Sequence, residues 1–335
     1  GVGARHALND NLGARFDLTT TASGACSGSI TLGGQPRRPF KNQLIQSYGN
    51  SDALLTAHVA GVKMPDGTPL FVTIDLNVPA GSAQLTLTHP DGTQLLIQAW
   101  RNPWSKTSPA TAFATPYALR LDGGTGAGAP EGFGFCTFTV ASAGTVRLAG
   151  KLPDGSALIG STFVGAGGEV MVFQLLYGKK GSLVGSFTLT PQSPVTDNSA
   201  AGTLDWMKPA QPVTSKDTIY KAGFGPLGVA VDGGAYVAPP AGQRVLDLPA
   251  EVSPATNAKL AFTLGGLDVA GPEFDQPLRI DNPKPTGLTN IAKIETPVNA
   301  TRVTSLNAAT GAFAGSFVAS MLTARHYLEE QLAIK

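Results

Sequence analysis

Residues 132–157 read GFGFCTFTVASAGTVRLAGKLPDGSA. Thr and Val alternate with small residues on both sides of Gly144, and Pro153-Asp154-Gly155 ends the run. A period of two is the pattern of a strand with one buried face. A central glycine supplies the positive φ of a tight reversal. The stretch therefore reads as a β-hairpin closed by a turn, and the reading extends outward along the chain. Candidate strands cover 15–20, 27–32, 53–59, 70–78, 83–88 and 94–100. A second set covers 117–121, 135–140, 145–152, 157–163, 169–177, 182–190 and 202–206. A third covers 245–248, 259–264, 278–280, 291–295, 302–306 and 312–318.

The tripeptide Pro-Asp-Gly recurs at 65–67, 90–92 and 153–155. Proline presets φ, Asp bonds its own backbone, and Gly accepts positive φ, so each copy reads as a hairpin loop. One Asp per loop is too few ligands for calcium. Composition agrees with short strands and tight turns: 41 Gly, 25 Pro, 42% hydrophobic and only 14% charged residues. The expected fold class is all-β: tandem small antiparallel β-barrel or sandwich domains. Barrel and sandwich share the same alternation, so both stay open.

Segments 102–115 and 208–215 lack alternation, carry prolines and read as linkers. They divide the chain into a β-domain with an N-terminal arm (1–110), a second β-domain (111–212) and a third (213–335). The loop 122–131 is dense in glycine.

Aligned on Gly144, two other stretches match the opening one. They are FDLTTTASGACSGSITLGG at 16–34, on Gly24, and VTSLNAATGAFAGSFVAS at 303–320, on Gly311. Phe16, Cys136 and Val303 stand eight residues before the glycine. Cys26, Val146 and Phe313 stand two after it, and Leu32, Leu152 and Ala319 eight after it. Even offsets point these residues to one face, so the hairpin reads as a recurring unit.

On these stretches, with LLYGKKGSLVGSFTL (175–189), LDWMKP (204–209), YKAGF (220–224), YVAPPAGQRVLDL (236–248) and TGAFAGSFV (310–318), the chain resembles a known class of sequence. That class is the β-rich repeat regions near the C-termini of large secreted proteins of Verrucomicrobia and related environmental bacteria. The resemblance implies export and a surface or extracellular structural role. It supplies no catalytic residue.

The sequence departs from that pattern in SMLTARHYLEEQLAIK, 320–335. Met321, Ala324, Leu328 and Leu332 recur at spacings of three and four, which predicts one short C-terminal helix. Pairing of 324–328 as a strand is the alternative. A third domain short of a strand has an open edge, which the helix or a segment from another subunit would cover. Residues 1–14 form no obvious element and read as a docking arm. The chain begins at Gly1 and reads as a processed or trimmed one.

The net charge of +1, with basic clusters no longer than Arg37-Arg38 and Lys179-Lys180, argues against nucleic acid as a partner. No run of about 20 apolar residues spans a membrane. His6, His58, His89 and His326 stand in four separate contexts, and no HExxH or GxSxG motif occurs. The glycine-rich 123–130 is not followed by a phosphate-loop lysine. Asp75 and Asp247 lie in expected strands without a paired carboxylate. These readings predict no enzyme, no metal and no cofactor. Cys26 and Cys136 show no metal spacing. They form either one disulfide or two buried thiols.

The chemistry that stands out is AWRNPW, where Trp100, Arg101 and Trp104 cluster. Indole faces stack on sugars and Arg bridges hydroxyls or carboxylates, but the same residues also plug barrel ends. Trp206 reads as another such plug. The functional expectation is an extracellular structural protein, a subunit of a cell-surface layer, filament or matrix. It would form a homo-oligomer or polymer through its β-edges, N-terminal arm and C-terminal segment. The alternative is a carbohydrate-binding or adhesive module using Trp100, Arg101 and Trp104, with glycans as partners.

Overall fold

The computed structural model describes residues 1–335 apart from 48–53, 125–127, 216–219, 241, 249–255, 263–273, 282–290, 295–296, 298–299, 318, 324–325 and 331–335. The chain forms two units, Gly1–Gly234 and Ala235–Lys335.

The first unit holds two barrels. The first is a closed antiparallel barrel of β1 (Val2–Gly3), β2 (Ala14–Thr20), β3 (Ala25–Leu32), β4 (Arg38–Ser47), β5 (Leu54–Val59), β6 (Phe71–Asn77), β7 (Ser82–Thr88) and β8 (Gln94–Trp100). Each strand pairs with the next, and β1 closes the ring by pairing with both β2 and β8. Alternate residues turn inward. In β8, Leu95, Ile97 and Ala99 are buried while Gln94, Leu96 and Gln98 face out. Phe16, Ile30, Leu32, Ile74, Leu85, Leu87 and Ile97 fill the interior, as expected for a barrel of this size. Each contributes about 1.5–3 kcal/mol by leaving water.

The second barrel comprises β9 (Pro116–Asp122), β10 (Phe133–Thr139), β11 (Thr145–Lys151), β12 (Ala157–Phe163), β13 (Glu169–Leu176), β14 (Gly181–Thr190), β15 (Ser199–Lys208) and β16 (Phe224–Ala235). Its strand order is β12-β11-β10-β9-β16-β15-β14-β13. The core holds Tyr117 stacked on Phe138 at 4.9 Å between centroids, with Phe187 and Trp206. β16 joins the two halves of the sheet. A side chain at Gly233 (φ +152°) would overlap the Ala118 carbonyl, so the close approach of β16 to β9 requires glycine there.

The second unit contains small sheets: β17 (Ala258–Phe262), β18 (Phe274–Asp281) and β19 (Ile291–Lys293) in one, β20 (Arg302–Leu306) with β21 (Phe313–Ser316), and β22 (Ala319–Thr323) with β23 (His326–Glu330). Val245, Leu278, Ile280 and Ala308 form its core.

The all-β expectation holds, and the architecture is tandem barrels. All three Pro-Asp-Gly turns form as expected, with Gly67, Gly92 and Gly155 at φ +90°, +90° and +81°. The carboxylates of Asp66, Asp91 and Asp154 accept from the backbone N–H two residues on, at 2.8–2.9 Å. Gly24, Gly144 and Gly311 sit at the turns of β2–β3, β10–β11 and β20–β21 with φ +76°, +73° and +70°. In the first two hairpins the flanking apolar residues are buried. In the third, Phe313 is 60% exposed.

Several expectations are corrected. Residues 320–335 do not form a helix where they are described: Met321 pairs with Leu328 in the β22–β23 hairpin. Three-and-four spacing over so short a segment overlaps a period of two, so periodicity alone cannot separate helix from strand. Residues 331–335 lie outside the described residues. The N-terminal segment is not a free arm, because β1 is the closing strand of the first barrel. A strand of two residues leaves no alternation to read. After it, Asn9 is buried, donating to the Ala4 carbonyl and accepting from the His6 and Gly13 N–H groups.

The boundary at 212 falls inside the second barrel. Segment 208–215 belongs to the connection of the β15–β16 hairpin, where Gln211 N–H donates to the Lys221 carbonyl at 2.8 Å. Residues 245–247 form a 3-10 turn, not a strand. Cys26 and Cys136 are free thiols, each in the core of its own barrel, so no disulfide joins them. Burial pushes both thiols up, Cys136 to about 12.

Candidate functional site

One arginine fastens the two barrels together. Arg5 follows β1 and reaches into the second barrel. Its Nε donates to Asp205 Oδ1 at 2.6 Å and its Nη1 to Ser182 Oγ at 2.6 Å. Its Nη2 donates to the carbonyls of Ser182 and Asp205 at 2.9 and 3.0 Å. The planar guanidinium suits such a convergent set of acceptors.

Between the barrels lies a cleft of about 920 Å³. The first-barrel wall comes from β2, the β6–β7 ends and the end of β8 with Trp100, Arg101 and Asn102. The second-barrel wall comes from β12 (Leu158–Phe163) and β13 (Met171–Gln174), with Leu148 behind them. Its charged side chains include Arg15, whose Nε is 3.0 Å from Asp17 Oδ2, and the exposed Arg101.

That second wall is also where the second barrel's ladder is interrupted. β12 and β13 are the two ends of the strand order, joined by a single backbone bridge, Val164 to Val170. Further along, the Gln174 side chain fills the gap. Its Oε1 accepts from the Ile159 N–H at 2.9 Å and its Nε2 donates to the Ala157 carbonyl at 2.8 Å. A primary amide carries the donor and acceptor of a peptide group, so it stands in for a ladder rung. Between bridge and amide, the seam-facing edges of both strands open on the cleft. Ile159, on the β12 edge, is 70% exposed.

The structure splits the AWRNPW cluster. Trp100 and Arg101 line the cleft. Trp100 packs its Cβ against the turn at Gly165, where a side chain would also overlap the Glu169 carboxylate. Trp104 does not line the cleft. Its Nε1 donates to the Val164 carbonyl at 2.8 Å, its ring meets Phe113 edge-on at 5.9 Å, and it covers the Gly144 turn. It caps the second barrel, which is the plug reading. Trp206 is likewise a core residue, with Nε1 donating to the Tyr177 hydroxyl at 3.1 Å.

Sequence reading missed the seam residues Ile159, Met171, Phe173 and Gln174. The available signal was Gln174, one polar residue inside the apolar run VMVFQLL at 170–176. Among the described residues, no three His, Cys, Asp or Glu side chains are placed to hold a metal ion. No helix among them is long and apolar enough to cross a membrane. No family model matches the chain, and no curated protein or solved structure matches it.

Proposed function

We infer that the chain is a non-catalytic structural module of an extracellular or surface assembly. It joins a second copy of itself by strand addition at the β12–β13 seam. One observation carries this reading: the interrupted ladder of the second barrel opens directly onto the cleft. Unpaired strand edges recruit extended backbone, and the cleft gives that backbone a bed. The donor is the C-terminal hairpin β22–β23 of the other copy. It stands as a two-stranded sheet, a marginal element until a further strand pairs with it. A net charge of +1 sets up little repulsion between copies.

The test is mass measurement of the untagged chain over a concentration series, with electron microscopy of the concentrated samples. Concentration-dependent assembly is expected, and Ser161→Pro should abolish it. The Ile159 N–H and the Ala157 carbonyl face the seam, so by strand alternation the Ser161 N–H does too. Proline there removes a seam donor and leaves the β11–β12 ladder intact. A monomer at every concentration contradicts the reading.

A second reading is favoured by Trp100, Arg101 and Asn102 standing together on the cleft wall. It takes a carbohydrate stacked on the indole. It predicts a monomer whose retention on immobilised glycans is lost in Trp100→Ala.

A further inference from the structure

The outward face of β10 carries two phenyl rings. Alternate residues of the strand turn inward, with Cys136 and Phe138 in the core, while Phe133 and Phe135 are 52% and 45% exposed. Residues two apart on a strand share a face and stand about 7 Å apart. A side chain at Gly134, between them, would overlap the Lys151 carbonyl, so β10 lies tight against β11. A lone exposed apolar residue is ordinary, but two neighbouring rings set among cations are not.

The cations come from the flanking strands. Phe135 pairs with Arg120 on β9 and with Lys151 on β11, so its ring stands in a row between two positive charges. Arg120 Cζ lies 5.0 Å from the centre of the Phe133 ring. Arg147 is four residues from Lys151 on the same outward face of β11, about 13 Å along the strand. Among the described residues, neither Lys151 nor Arg147 forms an ion pair. Asp232 is 3.6 Å from Arg120, but both side chains are more than half exposed, and such a pair is weak in water. Asp122 is turned into its own loop, where it accepts from the Gly124 N–H at 2.9 Å. The net charge of +1 is an average over the whole chain, and cations are gathered on this face.

We propose that the outer face of β9–β11 binds single-stranded nucleic acid. One base stacks on Phe135 and the next on Phe133, and Arg120, Lys151 and Arg147 hold phosphates. The ligand class follows from the pattern. A single strand alternates flat aromatic bases with phosphate anions, and this face alternates phenyl rings with cations. Arg120 can exchange its exposed carboxylate for a phosphate, which takes a guanidinium bidentately. Its plane also stacks on bases, so it adds to the Phe133 site. The run Gly132-Phe133-Gly134-Phe135, with Phe138 three residues on, has the order in which sheet-based RNA-binding modules expose stacking rings. Glu131 stands where those modules carry a basic residue; here Arg120 and Lys151 supply the charge from neighbouring strands.

This inference stands apart from strand addition and from the cleft. Phe133 and Phe135 lie on β10, two strands from the seam at β12, and neither lines the cleft.

The test is fluorescence anisotropy of labelled oligothymidylate and oligouridylate, each of about 12 nucleotides, titrated with the full chain. Binding is expected, with log affinity falling against log salt at a slope of about −2 for three phosphates. Phe135→Ala should weaken binding about tenfold or more, and Phe133→Ala less, because Arg120 remains. Phe135→Tyr keeps a stacking face and should bind within about twofold of wild type. Lys151→Gln should flatten the salt slope by about 0.7. Phe71→Ala removes an equally exposed ring from the first barrel and should change nothing. Binding of only one oligonucleotide supports the proposal and says whether RNA or DNA is the ligand. No binding of either in dilute salt overturns it, as does binding that Phe135→Ala leaves unchanged. Equal binding of polyphosphate, which has anions and no bases, also overturns it. So does preferential capture by vesicles of anionic phospholipid.

Discussion

The two barrels of the first unit have the same strand count and opposite solutions to closure. The first closes with backbone alone, because a two-residue strand inserts between β2 and β8. The second leaves β12 and β13 joined by one bridge and completes the join with Gln174. A full ladder removes every edge, whereas an amide clasp leaves edges that another segment can use. The shared Pro-Asp-Gly tripeptide is likewise used two ways. Asp91 caps an exposed turn in the first barrel, while Asp154 turns inward against Tyr177 and Lys208.

The largest test of this contrast is to uncouple the barrels. Arg5→Ala removes the hydrogen bonds to Ser182 and Asp205. It should cost about 3 kcal/mol, the low end for breaking a buried pair, because Asp205 stays 42% exposed. Denaturant titration should then show two separate transitions. A single unshifted transition would mean the clamp does not couple them.

The two hairpin glycines give a smaller and sharper contrast. Gly24 and Gly144 share a positive φ, so alanine costs about 1 kcal/mol at either from backbone strain. At Gly24 a methyl group meets open space, but at Gly144 it overlaps the Trp104 ring. Gly144→Ala should therefore cost about 1–3 kcal/mol more than Gly24→Ala in thermal or chemical unfolding. Equal costs would show that Trp104 does not cap the barrel.

Removing the clasp should cost about 1–2 kcal/mol, for two hydrogen bonds in Gln174→Ala. The matching change in the closed barrel is Gln98→Ala, which loses one exposed bond to Gln84. It should cost about 0.5 kcal/mol or less. If the two were equal, the seam would not depend on its amide.

The smallest effect concerns acid. The Thr93 backbone N–H, then its hydroxyl, then His89 hold the Asp91 carboxyl down to about 2. A carboxylate lowered by folding stabilises above its unfolded value and loses that contribution as pH falls through the folded one, here from about 4 to about 2. The amide signal of Thr93 should titrate with a midpoint near 2. A midpoint near about 3.9, the free value, would mean the turn bonds are not made in solution.

Much of this architecture was legible because the turns encode it locally. Pro-Asp-Gly specifies a reversal in three residues, and β8 alternates polar and apolar residues from Gln94 to Ala99 except at the outward-facing Leu96. What escaped reading was set by tertiary contact. β1 is too short for any pattern. β16, FGPLGVAVDGGA, is dense in glycine because its neighbours lie close: Gly233 faces β9 at Ala118, while Gly225, Gly228 and Gly234 face β15 and Asn198. The tail at 319–330 satisfies two periods at once, and pairing decided between them. Of the expected site, Trp100 and Arg101 line the cleft, while Trp104 caps a barrel through the Val164 carbonyl, a partner 60 residues away. The seam was invisible because its defining feature, a missing ladder between β12 and β13, belongs to no single stretch.

Hydrogen exchange of the seam amides over a protein concentration series tests the central claim most directly. The account predicts that Ser161 and Phe163 exchange faster in dilute solution than the buried rungs of β7–β8, and gain protection as concentration rises. Slow exchange at the seam, equal to that of the closed barrel and unchanged by concentration, would contradict it.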